Sequence, residues 1–188
     1  MFDALVTEHR ARVLAYTMRR TGTLADAEDA TAETFVIAWR KQDAVPAEDP
    51  LPWLYAVARR VLANQRRGNG RRDRLAALLR LDEDVATPFR VGEDMDGPAF
   101  RSLAALSPAD QELLRLVAWE ELGNQGIARV LGISPNAVAI RLHRARARFA
   151  AALDIHGPTG TEPDLKEPGD TRTSADVKGD AAWKEVTR

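Results

Sequence analysis

The segment Leu131–Phe149, LGISPNAVAIRLHRARARF, contains four arginines and no acidic residue. Guanidinium groups carry several N–H donors, which bind phosphate oxygens and the acceptor edge of guanine. At helical spacing, Val138, Leu142, Ala145 and Phe149 fall on one narrow stripe, and the arginines lie outside it. The pattern predicts a helix that buries one face and offers a basic face to an anionic partner, although a solvated cationic surface would show the same pattern.

A second group of arginines lies between residues 59 and 74, where seven arginines accompany a single acid, Asp73. They are Arg59, Arg60, Arg66, Arg67, Arg71, Arg72 and Arg74. Ion pairing along a helix would have placed glutamates nearby, so contact with phosphate is the better interpretation. Trp53 precedes the cluster, and an aromatic ring beside arginines suits single-stranded or melting nucleic acid, because a base can stack on it. Trp53 could instead be a core residue, since a large aromatic at a helix start usually buries.

The net charge of the whole chain is close to zero and does not reveal these clusters. The chain holds 27 basic and 28 acidic residues, because the segment from Asp154 onward contributes eight acids against five bases. Charge separated into blocks indicates surfaces with different partners.

The sequence gives little support for catalysis, metal binding or cofactor binding. Cysteine is absent, and His9, His143 and His156 are scattered without metal-ligand spacing. We therefore expect no catalytic, cofactor-binding or metal-binding residue, and a protein that is not an enzyme. The absence of a long apolar run or a signal-peptide core leads us to expect a cytoplasmic protein without direct membrane contact.

The predicted basic helix, which starts at Pro135, is preceded by NQGIARVLGIS. This stretch predicts a short helix and a tight turn. Gly132 can adopt the positive φ that ends the short helix, Ser134 is a suitable N-cap, and Pro135 fits the first position of the next helix. Two helices joined in this way form a helix-turn-helix, whose second helix enters the major groove of DNA. Ile140 would face outward, where it could contact a thymine methyl group or simply be an exposed aliphatic residue.

Apolar residues recur at helical spacing along the rest of the chain, and strand-like alternation is absent, so we predict an all-α fold. Thr23 and Ser107 are predicted helix caps, Ala27, Ala30, Phe35, Ala38 and Trp39 form a predicted inward face, and Gly68 and Gly70 are expected to loosen the end of the third helix. The predicted organisation is a helical domain at 1–74, a flexible acidic linker at 75–98, a helix-turn-helix domain at 99–153 and a disordered tail at 154–188.

Two stretches resemble a known family. DAEDATAETFVIAWR, followed by a proline-rich loop and WLYAVARRVLANQRR, resembles region 2 of bacterial RNA polymerase sigma factors of the extracytoplasmic-function (ECF) group of the sigma-70 family. LAALSPADQELLRLVAWEELGNQGIARVLGISPNAVAIRLHRARARF resembles region 4. The resemblance spans residues 2–153 and implies a region 2-like domain of three to four helices and a region 4-like domain. It also implies binding to core RNA polymerase at the β′ clamp helices and β flap, recognition and melting of promoter DNA, and a possible anti-sigma factor.

The resemblance also implies roles for individual residues. The residues that it implies in polymerase binding are Asp26, Glu28, Asp29, Glu33, Phe35 and Arg40. Contact with the −10 element falls to the loop at 42–50 and the basic helix after it, through Gln42, Asp43, Trp53, Arg59, Arg60, Asn64, Arg66 and Arg67. Contact with the −35 element falls to Ser134, Asn136, Ala139, Ile140, Arg141, His143, Arg144 and Arg148. The linker acids, which run toward the polymerase active-site cleft, are Asp82, Glu83, Asp84, Glu93, Asp94 and Asp96.

The sequence departs from the family pattern at several positions. Ala32 stands where the family commonly has glutamine, and Gly123, Asn124 and Gly126 replace a Ser or Thr, an aromatic residue and a Glu. Each of these glycines would cost about 1 kcal/mol if it lay inside a helix. Ala139 and Ile140 replace a common Lys and Ser, which predicts a changed −35 preference.

Two other functions fit part of this pattern. A stand-alone helix-turn-helix regulator would bind duplex DNA unaided, without need of the arginines at 59–74. An interaction module would use both basic faces to bind an acidic protein. Trp183, in the polar tail, could be a docking element or have no function.

Overall fold

The computed structural model describes residues 2–79 and 97–156, and within them the side chains of 2–68 and 97–155. Residues 80–96 of the predicted linker and residues 157–188 of the predicted tail lie outside the described residues. The helices are α1 (Phe2–Met18), α2 (Leu24–Arg40), α3 (Leu51–Leu79), α4 (Pro98–Ala104), α5 (Pro108–Ala118), α6 (Asn124–Leu131) and α7 (Pro135–His156), and a 3₁₀ turn lies at Gln42–Ala44. The described residues contain no strand, so the all-α prediction is confirmed.

The chain divides into two compact units. The first contains α1, α2 and α3, which all pack against one another, and the second contains α4, α5, α7 and the larger part of α6. Two helical domains were predicted, and the division into two helical units agrees with that prediction.

Stacked tyrosines form the centre of the first unit. The rings of Tyr16 in α1 and Tyr55 in α3 lie 4.8 Å apart at 21°, and both side chains are fully buried. The guanidinium of Arg20 lies 3.6 Å from the centre of the Tyr16 ring, and its Nη1 donates to the Tyr16 carbonyl at 3.0 Å. A cation over an aromatic face is attracted by the ring quadrupole, so this arrangement ties the end of α1 to α3 through the tyrosine pair.

Small residues set the contact between α1 and α2. Ala27 and Ala30 are fully buried, as predicted, and leave room for the two helices to approach closely. Buried hydroxyls at this contact are satisfied: Thr17 Oγ1 lies 2.9 Å from Thr31 Oγ1, and Thr31 donates to the Ala27 carbonyl at 2.7 Å. Because each buried hydroxyl has a partner, the contact carries little desolvation penalty.

The predicted N-caps at Thr23 and Ser107 are present. The amide of Asp26 donates to Thr23 Oγ1 at 3.0 Å, and the Thr23 hydroxyl donates to the Asp26 carboxylate at 2.7 Å. At the start of α5, the Asp110 amide donates in the same way to Ser107 Oγ at 3.2 Å, and Pro108 takes the first helical position. These local signals place the helix starts because each cap satisfies a backbone N–H that has no partner inside the helix.

The glycines behave differently from expectation at two places. The prediction that Gly68 and Gly70 loosen the end of α3 is wrong, because the helix continues to Leu79, five residues beyond the predicted domain boundary. The following residues, RRDRLAALL, are mostly strong helix formers, which outweighs the cost of two glycines. At α6, Gly123 precedes the helix and only Gly126 lies inside it, so the expected cost of about 1 kcal/mol applies to Gly126 alone.

The second unit is held together by α7. Val138, Leu142, Ala145 and Phe149 are all buried, which confirms the predicted stripe. The stripe packs against α4 and α5, whose own core residues are Leu103, Leu113, Leu114 and Leu116. One apolar face of a long helix therefore organises the whole unit and leaves the opposite face at the surface.

Candidate nucleic-acid and protein interfaces

The turn before α7 has the geometry of a helix-turn-helix. Gly132 adopts φ +69°, and the amide of Ile133 donates to the Ala128 carbonyl at 3.1 Å. Ser134 Oγ accepts from the amide of Ala137 at 3.2 Å and so caps α7. A positive φ costs glycine little, whereas a residue with a Cβ would be strained there. The predicted turn residues take the roles that were assigned to them.

All eight predicted −35 residues, at the N-cap and on the outward side of α7, are exposed to solvent. They are Ser134, Asn136, Ala139, Ile140, Arg141, His143, Arg144 and Arg148. Ile140 has 47% of its surface exposed, which is unusual for a large aliphatic side chain on an otherwise polar face. Neither Arg141 nor Arg144 forms an ion pair with another described residue. Within the part of the chain that the structure describes, these two charges are not neutralised by a carboxylate.

Arg148 differs from the other arginines of α7, because its charge is already paired. Its Nη1 donates to both carboxylate oxygens of Asp110, at 2.9 and 3.2 Å, and the same carboxylate accepts from the Ser107 hydroxyl at 2.9 Å. The Asp110 side chain is only 12% exposed. Arg148 therefore ties α7 to the first turn of α5, and its assignment to −35 contact, which would compete with this ion pair, stays a prediction.

Arg148→Ala is expected to lower the free energy of unfolding of this unit by about 1–2 kcal/mol, because it leaves a largely buried carboxylate without its charged partner. Urea unfolding followed by circular dichroism measures the change. Arg144→Ala is the matched control, since Arg144 is exposed and unpaired within this unit. An unchanged unfolding midpoint for Arg148→Ala, combined with lost −35 selectivity, would instead support the assignment of Arg148 to −35 contact.

The basic part of α3 is mostly at the surface. Arg59, Arg60, Asn64, Arg66 and Arg67 are all exposed, as a nucleic-acid contact requires. Three of them form hydrogen bonds inside the unit. Arg66 Nη2 donates to the carbonyl of Arg20 at 2.9 Å, just after α1 ends, and Arg67 donates to the side-chain carbonyl of Asn64. The side chains of Arg71, Arg72 and Arg74 lie outside the described residues.

The other predicted −10 residues flank this helix. Trp53, near the start of α3, is half-buried, so it is neither a complete core residue nor a free surface ring. Gln42 and Asp43 are exposed within the 3₁₀ turn that follows α2. The loop and the helix belong to the same unit.

The surface of α2 corrects two assignments. Phe35, predicted both to face inward and to bind polymerase, is only 7% exposed, which agrees with the inward position and not with a binding surface. Trp39, predicted to face inward, is 60% exposed. The two residues lie about 40° apart around the helix. The inward face is narrow because it consists mainly of small residues packed closely on α1 and α3, so Phe35 lies at its edge and Trp39 lies beyond it.

Trp39 belongs to a continuous exposed strip that sequence reasoning missed. We call it the α2 docking face; its members, at helical spacing, are Asp29, Ala32, Val36 and Trp39. Val36 is 45% exposed, and the predicted polymerase-binding residues Glu28, Glu33 and Arg40 lie exposed beside the strip. Asp26 is half-buried and engaged in the Thr23 cap. An exposed apolar patch with a charged rim is typical of a protein-binding surface.

Within the described parts of the chain, no group of His, Asp and Glu has an arrangement that could hold a metal ion. The described helices also include none with the length and apolar character needed to cross a bilayer.

Comparison with known proteins identifies both units. Residues 5–72 match Sigma-70 region 2, and residues 100–149 match Sigma-70, region 4. ECF RNA polymerase sigma factor SigL of Mycobacterium tuberculosis is 30% identical over 163 residues, which cover 85% of this chain and 92% of the relative. RNA polymerase sigma factor CarQ of Myxococcus xanthus is 31% identical over 158 residues, covering 81% and 88%.

Two solved structures share the fold. The sigma factor RpoE in complex with the anti-sigma factor NepR from Bartonella quintana has a TM-score of 0.61 at 22% identity, and the match covers 82% of this chain and 97% of that one. CnrH in complex with the cytosolic domain of CnrY has a TM-score of 0.55 at 27% identity, covering 82% and 88%.

Proposed function

Because the chain belongs to the ECF group of the sigma-70 family of RNA polymerase sigma factors, we propose that it binds core RNA polymerase and directs DNA melting and transcription initiation at a specific set of promoters. Promoter recognition is the function of the family, and its members are not themselves enzymes. We propose that this chain acts in the cytoplasm, through residues of both units.

The α2 docking face is the observation that carries this proposal. A helix-turn-helix alone would suit a regulator that binds DNA unaided, and such a protein has no use for an exposed indole on a different unit. Trp39 and Val36 together expose apolar surface beside the carboxylates of Asp29 and Glu33. This combination fits a protein partner that is apolar in the middle and basic at its rim, and we assign that partner to the β′ clamp helices.

The exposed arginines of α3 support a role in melting. Arg59 and Arg60 have side chains at the surface of the helix that follows the loop at 42–50. A positive surface can hold the backbone of the opening strand, while a half-buried ring such as Trp53 can accept a stacked base. In the proposed mechanism, the upstream duplex is held by α7, the second unit also contacts the β flap, and the first unit holds the single strand.

An anti-sigma factor is the proposed regulator. One solved neighbour is the sigma factor RpoE in complex with the anti-sigma factor NepR, and the other is CnrH in complex with the cytosolic domain of CnrY. For this chain we propose that such a partner covers the α2 docking face, because an exposed apolar patch of this kind is typical of a protein-binding surface.

Transcription from a promoter library tests the proposed function. The purified chain alone is expected to bind promoter DNA weakly, whereas the chain with core polymerase is expected to initiate at defined start sites. Mapping transcript ends in the presence and absence of the chain gives the result. Tight, specific DNA binding without polymerase, together with no stimulation of core, would instead favour the stand-alone regulator.

Arg144→Ala is expected to weaken −35-dependent initiation by about 1–3 kcal/mol in transition-state free energy if the guanidinium reads a base edge. Initiation rates on a set of promoters with single substitutions in the upstream element measure this effect. A base-reading role predicts that the loss is concentrated on promoters with the preferred base. A uniform loss on every upstream sequence would make Arg144 a phosphate contact.

A further inference from the structure

Ile140 is the apolar residue at the centre of the exposed face of α7. Its side chain lies opposite the buried stripe and is 47% exposed, and Ile155, in the last turn of the same helix, is the other large aliphatic residue exposed among the described residues of this unit. Phosphate binding requires only donors and positive charge, which an aliphatic side chain cannot supply. Ile140 therefore adds an apolar contact surface to this otherwise polar face.

The neighbours of Ile140 define the surface in which it lies. Asn136 is one turn earlier and Arg144 is one turn later, and both are exposed on the same side of α7. In the major groove, an asparagine amide matches the paired donor and acceptor of adenine, and a guanidinium matches the two acceptors of guanine. The apolar group that the major groove offers is the C5 methyl of thymine.

We propose that Ile140 is a specificity-determining residue that contacts a thymine methyl group in the upstream promoter element. This inference rests on the proposed function, because it requires α7 to lie in the groove. Successive residues of this row are separated by about 6 Å along the helix, or roughly two base-pair steps of 3.4 Å. The row Asn136, Ile140, Arg144 therefore addresses a short stretch of duplex, with the apolar contact between two polar ones.

Replacing thymine by uracil provides the test, since it removes the methyl group and leaves every hydrogen-bonding group in place. Upstream duplexes are first selected from a random library by initiation with the holoenzyme of this chain and core polymerase. Each thymine of the selected upstream element is then replaced singly by deoxyuridine. We expect one replacement to lower the initiation rate about fourfold, which is the effect of losing one buried methyl-sized contact.

Two variants separate Ile140 from other sources of thymine preference. With Ile140→Ala, the thymine and uracil templates are expected to become equivalent at that position. Ile155→Ala removes the same atoms from the exposed end of the same helix and is expected to keep the fourfold difference. Both residues are exposed, so the variants are expected to retain the helical circular dichroism of the parent chain.

The outcomes distinguish this inference from the proposed function. If the wild-type holoenzyme initiates at defined sites but no uracil replacement matters, or if Ile140→Ala keeps the difference, Ile140 is a simple exposed aliphatic residue and the inference alone is overturned. If the chain directs no initiation at all, the proposed function fails and the inference fails with it. A uracil effect that is lost only in Ile140→Ala supports both.

Discussion

Asp29→Arg is expected to reduce the affinity of this sigma factor for core RNA polymerase by at least about 100-fold, which corresponds to about 2.7 kcal/mol. Asp29 is exposed on the α2 docking face, one turn before Ala32 and on the side of the helix that carries Trp39. The variant places a cation opposite the basic rim of the proposed partner surface. Like charges brought together at an interface cost several kcal/mol.

Equilibrium binding of the labelled chain to core polymerase measures this effect. Asp3→Arg makes the same charge change at an exposed position in the first turn of α1 and is expected to leave the affinity nearly unchanged. Trp39→Ala tests the apolar part of the same face, and loss of an exposed interface tryptophan is expected to weaken binding about 30-fold. Unchanged affinity in Asp29→Arg, with helical content intact, would remove the α2 docking face from the proposal.

Phe149→Ala is expected to destabilise the second unit by about 3–5 kcal/mol. Phe149 is 1% exposed and is the last member of the buried stripe of α7. Truncation removes a large apolar surface and leaves a cavity where α7 packs on the rest of the unit. Because domains of this size have about 5–15 kcal/mol of stability in total, much of the folded population would be lost.

Amide hydrogen exchange over residues 98–156 measures the stability of this unit separately from the first. Ile155→Ala is the control, because Ile155 is 75% exposed on the same helix and its truncation is expected to change stability by less than about 0.5 kcal/mol. Exchange in α1 and α2 is expected to be unaffected by Phe149→Ala. Equal protection of α7 in the variant and the parent chain would show that the stripe does not hold the unit together.

The features that sequence predicted correctly are those that depend on neighbouring residues. The caps at Thr23, Ser107 and Ser134 each join a side chain to a backbone amide three residues later. The positive φ of Gly132 follows from a steric preference of glycine, and the stripe of α7 follows from the period of the helix. The family resemblance rested on the same local patterns, and the matches to both sigma-70 regions confirm it.

The features that sequence missed depend on residues far apart in the chain. Arg148 and Asp110 are separated by 38 positions, and only the packing of α7 on α5 makes them an ion pair. In the isolated pattern, Arg148 looked the same as Arg141 and Arg144. A count of positive charge therefore overestimates the DNA-binding surface wherever the fold supplies a carboxylate.

By itself, the sequence determined where the helices of this sigma factor begin, which side of α7 is buried and where its basic residues are concentrated, because local propensity and helical periodicity act over a few residues. Only the tertiary structure decided that Trp39 is exposed, that Arg66 is bound to the carbonyl of Arg20, and that Arg148 is paired with Asp110. The physical reason is that burial and charge pairing are properties of a contact between helices, and the width of each contact depends on the side chains of both.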